Sequence, residues 1–381
     1  MGESLDMEIS GNIDEKFAPV QAAFENNFAE YGDVGASFAV SVEGEFVCDI
    51  WGGHLDAEKS QPWQEDTIVN VYSSTKTMSF MCALLLADRG QLDFYAPVTT
   101  YWPEFGQNGK EKVEVRHFMS HSAGLSGLDK NFSGDALYDW DAVCAALAEQ
   151  APWWEPGTAS GYHALTQGHL IGEVVRRITG KSLGTFFAEE IAGPLDADFH
   201  IGTKEEHWPR IGKLIPPEAP LDNQAGGPDS IAARTFRSPA PVAQDSWTPG
   251  WRLAEIPAAN GHGNARSIVR AQTPMANGGS AFGVDLMSTE GAARIFDEQI
   301  HGEDLVLGVP LRFGMGYGLT SPDLPMGPNE HIAYWGGWGG STVVVDQDAK
   351  LCVSYVMNKM FAGALGDPRG FNLLGAVYNC L

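Results

Sequence analysis

The chain has 381 residues, enough for two to three domains at about 150 residues each. Acidic residues outnumber basic ones by 49 to 24, which gives a net charge of −25. A surface this acidic repels the phosphates of nucleic acids and the head groups of anionic lipids, so the composition argues against nucleic-acid-binding and membrane-surface roles.

The N-terminal segment and the cysteines indicate a cytoplasmic protein. MGESLDMEISGNIDE is acidic, whereas a signal peptide begins basic and continues apolar. The longest clean apolar stretch, FMCALLLA, is far shorter than the ~20 residues that span a bilayer. No C-x-x-C pair occurs, so neither a disulfide framework nor a zinc ribbon is predicted. The scattered cysteines are Cys48, Cys82, Cys144, Cys352 and Cys380.

Two hairpin patterns lie near opposite ends of the chain. ASFAVSVEGEFVCDIWGG (36–53) predicts two strands that join at Glu43-Gly44. STVVVDQDAKLCVSYVMN (341–358) predicts a strand, a polar turn and a second strand. With helical patterns between these hairpins, the sequence predicts an α+β fold in which both termini build one antiparallel sheet. Helices flank this sheet, and a mainly helical domain is inserted.

The middle of the chain has helical and irregular patterns. Apolar residues recur at helical spacing over 164–180, where Gly180 is a stop signal. A second helix is predicted over 182–195, and GFNLLGAVYNCL (370–381) is compatible with a helix that closes over the sheet. Pro, Gly, Ala and Asn dominate 204–264, and so long an irregular stretch is usually a functional loop or lid.

These patterns predict two domains. Residues 1–80 and 265–381 would form the α/β domain with the central antiparallel sheet. Residues 81–264 would form the helical, loop-rich domain.

The stretch NVYSSTKTMSF (70–80) combines a possible nucleophile with a possible base. Ser73 lies at the start of a predicted buried helix, and Lys76 projects from the same side one turn later. A serine hydroxyl needs a base at neutral pH, and a desolvated lysine can supply it. Taken alone, however, Ser-x-x-Lys occurs by chance and a serine at a helix start is normally a cap. Both interpretations stay open on this motif alone.

Two later segments complete a pattern. PWWEPGTASGYHALTQGHL places Tyr162 just before a helix, and AYWGGWGGSTVVV places a glycine-rich turn against a strand. Together with Ser73-x-x-Lys76, in this order, they resemble the three motifs of the serine β-lactamase and penicillin-binding protein superfamily. The similarity covers most of residues 15–375 and is weakest over 204–310. The branch that it resembles most is the family VIII carboxylesterases, cytosolic esterases on a class C β-lactamase-like fold.

Two motifs depart from the class C β-lactamase pattern. Tyr162-His163-Ala164 stands in place of Tyr-x-Asn, and a tryptophan and two glycines stand in place of Lys-Thr-Gly. In the family, that lysine and threonine hold the carboxylate of β-lactams, whereas tryptophan offers an apolar wall. The resemblance therefore implies small uncharged esters with short to medium acyl chains. The residues expected to bind substrate are Trp335, Gly336, Gly337, Trp338 and His163.

The resemblance also implies a mechanism without a cofactor or a metal. Ser73 attacks the ester carbonyl, and Lys76 and Tyr162 share its proton, the ammonium lowering the pKa of the phenol. The backbone N–H groups of Ser73 and Trp338 hold the oxyanion. Water then hydrolyses the acyl-enzyme. The expected partner is a small-molecule ester, and the chain would act as a monomer or a homo-oligomer.

Other functions remain open or are disfavoured. A β-lactamase, a D-Ala-D-Ala-type peptidase and an acyltransferase to an alcohol are the enzymatic alternatives, and a non-catalytic binding protein is least favoured. An α/β-hydrolase is disfavoured because no Gly-x-Ser-x-Gly pentapeptide occurs. His117 and His121 have metal-ligand spacing, but no H-E-x-x-H motif is present.

Overall fold

The computed structural model describes residues 8–217, 227–363 and 366–381. Within them, most strands belong to one antiparallel sheet of nine strands. The strands are β1 (Ile9–Ile13), β2 (Gly35–Val42), β3 (Glu45–Gly53), β4 (Val69–Asn70), β5 (His262–Gly263), β6 (Ser280–Ala281), β7 (Val284–Asp285), β8 (Ile300–Glu303), β9 (Pro310–Phe313), β10 (Gly318–Leu319), β11 (Ile332–Gly336), β12 (Thr342–Asp346) and β13 (Leu351–Met357). The order in the large sheet is β1-β3-β2-β13-β12-β11-β10-β9-β8.

Both predicted hairpins are confirmed. Strands β2 and β3 join through Glu43 and Gly44, whose φ values of 51° and 85° are those of a tight left-handed turn. Strands β12 and β13 form the second hairpin. Because β2 pairs with β13, with Val40 opposite Val353, the two ends of the chain meet in the middle of the sheet.

The sheet separates two hydrophobic cores. On β12, Val343 and Val345 face one core and Val344 faces the other, as the alternation of side chains along a strand requires. β2 is buried along almost its whole length because both faces are covered. The first core extends into α2, which carries the predicted catalytic residue Lys76, and into the helix α5 that follows Tyr162.

Helices cover both faces of the sheet. Helix α9 packs on β2 and β13, while α1 and α11 pack together as the layer of the second core. The helices of the described residues are α1 (Ala18–Glu30), α2 (Lys76–Asp88), α3 (Val115–Met119), α4 (Trp140–Glu149), α5 (Thr166–Thr179), α6 (Leu183–Phe187), α7 (Ile231–Arg237), α8 (Pro249–Leu253), α9 (Ala265–Ala276), α10 (Thr289–Ala293) and α11 (Pro368–Tyr378).

Helix α2 is the central helix of the first core. Its residues from Lys76 to Leu86 are buried, as expected of a helix that is apolar on every side. Helix α5 packs against it and ends where predicted, at Gly180 with φ 73°. None of the helices in the described residues has the length and apolar character that a membrane crossing requires.

Where the structure describes it, the irregular stretch 204–264 contains short helical turns, among them α7 and α8, and the two-residue strand β5. Residues 218–226 of this stretch lie outside the described residues. The region is therefore as poor in regular structure as its composition predicted, and parts of it border the cavity described below.

Candidate active site

Ser73 lies in a 3₁₀ turn, Tyr72–Thr75, that leads directly into α2. The preceding residue, Tyr72, has φ 44°, a left-handed conformation that is costly for a bulky side chain and typical of functional sites. The hydroxyl of Ser73 caps no amide of this turn or of α2. The cap interpretation is therefore wrong, and the serine faces other partners.

Those partners are the two other predicted catalytic residues. The Lys76 amine lies 3.1 Å from Ser73 Oγ, and the hydroxyl of Tyr162 donates a hydrogen bond of 2.5 Å to the same oxygen. The Lys76 nitrogen is also 4.8 Å from the centre of the Tyr162 ring. The structure thus brings together three residues that the chain separates by up to 89 positions.

Lys76 has the surroundings of a neutral amine. It is fully buried, and its Nζ donates to the carbonyl oxygens of Ala164 at 2.7 Å and Ala258 at 2.9 Å. No carboxylate of the described residues pairs with it, and burial lowers its pKa well below the usual value. A neutral amine has two N–H groups for the two carbonyls and one lone pair, which then faces the hydroxyl of Ser73.

The pKa of Tyr162 shifts in the opposite direction to the one expected from the sequence. Burial raises the pKa of its phenol, and this effect exceeds the stabilisation that the hydrogen bond with Ser73 gives to the phenolate. The expected lowering of this pKa by the Lys76 ammonium is therefore wrong, because desolvation dominates here and removes charge from both groups. Tyr162 is a protonated phenol that can donate and relay a proton.

Asp304 holds the backbone of Tyr162 in place. Its Oδ1 accepts hydrogen bonds from the N–H groups of Tyr162 at 3.0 Å, Val306 at 3.0 Å and Leu307 at 2.9 Å. Sequence reasoning missed this fully buried carboxylate. It lies in the segment where the family resemblance is weakest, and no motif surrounds it.

The predicted oxyanion site lies in the turn after β11. Among the described residues, the backbone N–H of Trp338 has no hydrogen-bond acceptor. A Cβ on the neighbouring Gly337 would lie 2.1 Å from the carbonyl oxygen of Val71, so this turn approaches the Ser73 turn as only glycine permits. Ser341 fixes the approach, because its hydroxyl donates to the Val71 carbonyl at 2.9 Å.

A cavity of about 710 Å³ opens above Ser73 and Tyr162. No lysine, arginine or histidine of the described residues lines it. Among the described lining residues the one charged side chain is that of Asp367, and both oxygens of its carboxylate accept hydrogen bonds from Arg369. Apolar lining residues include Pro217, Phe236, Val242, Val306, Leu307, Phe313, Leu324, Trp335, Trp338 and Phe371. Gly336 and Gly337 also line it.

Trp335 and His163 have different positions relative to this cavity. Trp335 lines it and stacks on the ring of His121, with ring centres 5.4 Å apart. His163 is fully buried and does not line it: its Nδ1 lies 2.6 Å from the carbonyl oxygen of Gly161, and its Nε2 accepts from the N–H of Leu125. The expectation that His163 contacts substrate is therefore wrong: its side chain is buried beside the site and bonds the backbone of Gly161 and Leu125. Burial lowers its pKa to about 3, so it is uncharged.

The two histidines with metal-ligand spacing are engaged in the fold. Nδ1 of His117 accepts from the N–H of Glu114, and Nδ1 of His121 accepts from the N–H of His163. Within the described ranges, no three His, Cys, Asp or Glu side chains are grouped to hold a metal ion.

A serine next to a buried lysine and tyrosine, between a sheet and a helical region, is the arrangement of the serine β-lactamase superfamily. The family model described as Beta-lactamase matches residues 20–376, and the chain belongs to this family. It is 34% identical to the esterase/beta-lactamase LipL of Mycobacterium tuberculosis, over 97% of this chain and 88% of LipL.

Solved structures agree with this assignment. The crystal structure of a family VIII carboxylesterase is 41% identical, with a TM-score of 0.92 over 98% of this chain and all of the other. A penicillin-binding protein homologue from Caulobacter crescentus is 38% identical, with a TM-score of 0.91 over 98% and 100% of the two chains. The likeness to family VIII carboxylesterases and the β-lactamase-like fold, both predicted from sequence, are confirmed.

Proposed function

We propose that this protein hydrolyses small uncharged carboxylic esters through an acyl-enzyme on Ser73. The observation that carries the proposal is the position of Ser73 Oγ, between the Lys76 amine and the Tyr162 phenol. The likeness to an esterase/beta-lactamase and to a family VIII carboxylesterase supports the same reaction class.

The geometry suits a two-step reaction. Ser73 Oγ attacks the ester carbonyl while the neutral amine of Lys76 takes the hydroxyl proton. The N–H groups of Ser73 and Trp338 stabilise the oxyanion. As the tetrahedral intermediate collapses, the C–O bond breaks and the proton passes from the Lys76 ammonium through the Tyr162 hydroxyl to the leaving alcohol. Water then attacks the acyl-enzyme along the reverse proton path and releases the acid.

The cavity supports an uncharged substrate. Its described lining has no cationic side chain, and it includes Trp335, which stands in the sequence where the family's motif has its lysine. Its volume of about 710 Å³ lies within the range of small-molecule sites and accommodates short to medium acyl chains with their alcohols.

Two further inferences accompany this proposal, one on cellular location and one on domain organisation. We infer a cytoplasmic location, which the five free, buried cysteines support. We also divide the chain into an α/β domain of residues 1–80 and 265–381 and a helical domain of residues 81–264. All nine strands of the large sheet fall within the first of these.

The test is hydrolysis of p-nitrophenyl butyrate by the wild type and by Ser73→Ala. We expect the substitution to lower kcat by roughly 10³-fold or more. The matched control is Ser79→Ala in α2, the helix that follows the Ser73 turn; among the described residues, the buried Ser79 hydroxyl bonds only the Pro257 carbonyl. This control keeps kcat and loses about 1 kcal/mol of unfolding free energy. Near-normal turnover by Ser73→Ala, or no labelling of wild-type Ser73 by a fluorophosphonate, would contradict the proposal.

A further inference from the structure

The geometry assigns Arg369 as a positioning residue for the oxyanion site, an inference that rests on the proposed function. Arg369 neither contacts Ser73 nor lines the cavity itself, although its partner Asp367 does. It acts through the turn that follows β11 and carries the N–H of Trp338.

Arg369 is built into this place by a complete set of hydrogen bonds. Its side chain is 3% exposed, and those of its partners Asp33 and Asp367 are 0% and 1% exposed. Nε and Nη2 donate to Asp367, while Nη1 donates to Asp33 and to the carbonyl oxygen of Lys359. With a further bond from Nη2 to Gly339, all five N–H donors of the guanidinium have acceptors.

The bond to Gly339 connects this cluster with the oxyanion turn. Nη2 of Arg369 donates to the Gly339 carbonyl at 3.0 Å, one residue after Trp338. Gly339 and Gly340 have φ values of 101° and 120°, a backbone that L residues rarely adopt. A Cβ on Gly340 would lie 1.9 Å from Asp367 Oδ2, so the turn packs directly on the carboxylate.

The cluster has a second layer that fixes Asp33. The hydroxyl of Tyr355, a fully buried residue of β13, donates to Asp33 Oδ2 at 2.5 Å. Asp33 Oδ1 receives the guanidinium of Arg369. The position of Arg369 is thereby tied to the central sheet.

The other side of the turn is tied to the nucleophile. The Ser341 hydroxyl bonds both the Val71 carbonyl and the hydroxyl of Ser74, on either side of Ser73. The turn is therefore held by two sets of bonds: Ser341 ties it to the segment around Ser73, and Arg369 ties it to the buried aspartates. Loss of the Arg369 contact frees a backbone of two successive glycines, which are conformationally permissive, and the Trp338 N–H then moves relative to Ser73. A displacement of about 1 Å at such a site is enough to cost roughly 100-fold in rate.

The test compares Arg369→Lys with the wild type. Lysine keeps the charge but has three donors in place of five, so it cannot bond both aspartates and the Gly339 carbonyl in the same geometry. We expect kcat for p-nitrophenyl butyrate to fall by about 10- to 100-fold, with KM within about threefold, because the lost stabilisation belongs to the transition state. A phenylboronic acid, which adds to Ser73 Oγ as an anionic tetrahedral adduct, should lose affinity by the same factor as kcat/KM.

The control is Arg266→Lys, since Arg266 also pairs with two carboxylates, Asp49 and Glu65, but does not contact the turn. It should leave kcat and boronate affinity within about twofold of the wild type. Thermal unfolding shows whether Arg369→Lys folds. If it does not, Tyr355→Phe is the substitute variant, because it removes only the hydrogen bond from Tyr355 to Asp33. For Tyr355→Phe we expect kcat and boronate affinity to fall by about two- to fivefold, with KM again nearly unchanged.

Three results for the folded Arg369→Lys variant would overturn the proposal: an unchanged kcat, a higher KM at unchanged kcat, or a lower kcat with unchanged boronate affinity. A wild type that hydrolyses no ester would contradict the proposed function itself. These two failures are distinguishable, because the first occurs in an active enzyme.

Discussion

Lys76 is fully buried, and its amine faces two carbonyl oxygens and the hydroxyl of Ser73. Burial lowers its pKa well below the usual value of about 10.4. Between the lowered pKa and about 10.4, the unfolded chain binds the proton and the folded one does not. The free energy of unfolding therefore rises with pH across this window. In the proposed mechanism, the same deprotonation generates the base that activates Ser73.

Activity should follow the same titration. We expect kcat/KM for p-nitrophenyl butyrate to be flat at alkaline pH and to fall as the pH drops through the lowered pKa of Lys76, because a protonated amine cannot accept the Ser73 proton. The measurement is a pH–rate profile of the wild type and of Tyr162→Phe. Tyr162→Phe should lose roughly 10²- to 10⁴-fold in kcat yet keep the same acidic limb. A limb that disappears in this variant would make Tyr162 the titrating base.

The three catalytic candidates are predictable from sequence because spacing and chain order identify them. Ser73 and Lys76 are three positions apart on one helical turn, and Tyr162 follows in a recognisable motif. The direction of the Tyr162 pKa was not predictable in this way. It depends on burial by segments distant in the chain, including the one that carries Asp304, which only the folded structure brings together.

At the scale of elements, the close approach of two turns shapes the site. The turn after β11 meets the turn before α2, and a Cβ on Gly337 would lie 2.1 Å from the Val71 carbonyl oxygen and 2.4 Å from Ser341 Oγ. Both contacts are far below van der Waals distance. Any side chain at this position must therefore separate the oxyanion turn from the nucleophile.

We predict that Gly337→Ala lowers kcat by about 100-fold or more, since backbone atoms must move near the reacting oxygen. The matched control is Gly375→Ala in helix α11, where a Cβ meets no atom within 4 Å. The control should keep kcat and gain about 0.5–1 kcal/mol of unfolding free energy, because alanine favours the helix. Steady-state kinetics and thermal unfolding of both variants provide the test. A fully active Gly337→Ala would show that the two turns separate without cost to catalysis.

Elements with a clear pattern were predictable, and elements held by distant contacts were not. The hairpin at Glu43-Gly44 and the end of α5 at Gly180 carry local signals that the structure reproduces. The bond between Arg369 and Asp33 spans 336 positions and has no local signal. Such contacts follow from the sheet topology, in which both ends of the chain come together.

For the whole molecule, the cavity lining and the net charge both disfavour an anionic substrate. The described lining of the cavity contains one charged side chain, the carboxylate of Asp367, and the chain carries a net charge of −25. Two basic residues of the C-terminal part of the chain, Arg312 and Lys359, bond protein groups outside the cavity. Arg312 pairs with Glu298, and Lys359 donates to the carbonyl oxygen of Tyr31. The described residues thus offer an anionic substrate no cationic partner in the cavity.

This absence predicts the preference between substrates. A charge-assisted hydrogen bond to a carboxylate contributes about 1.5–3 kcal/mol, or roughly 10- to 150-fold, and Trp335 cannot form it. The net charge adds a repulsion that salt screens. We therefore expect kcat/KM for p-nitrophenyl acetate or butyrate to exceed that for nitrocefin by at least about 100-fold. Residual nitrocefin hydrolysis is compatible with this, since Ser73 can still acylate a strained amide. Comparable values for the two substrates would mean that a basic side chain reaches the cavity after all, and the assignment would then change from esterase to β-lactamase.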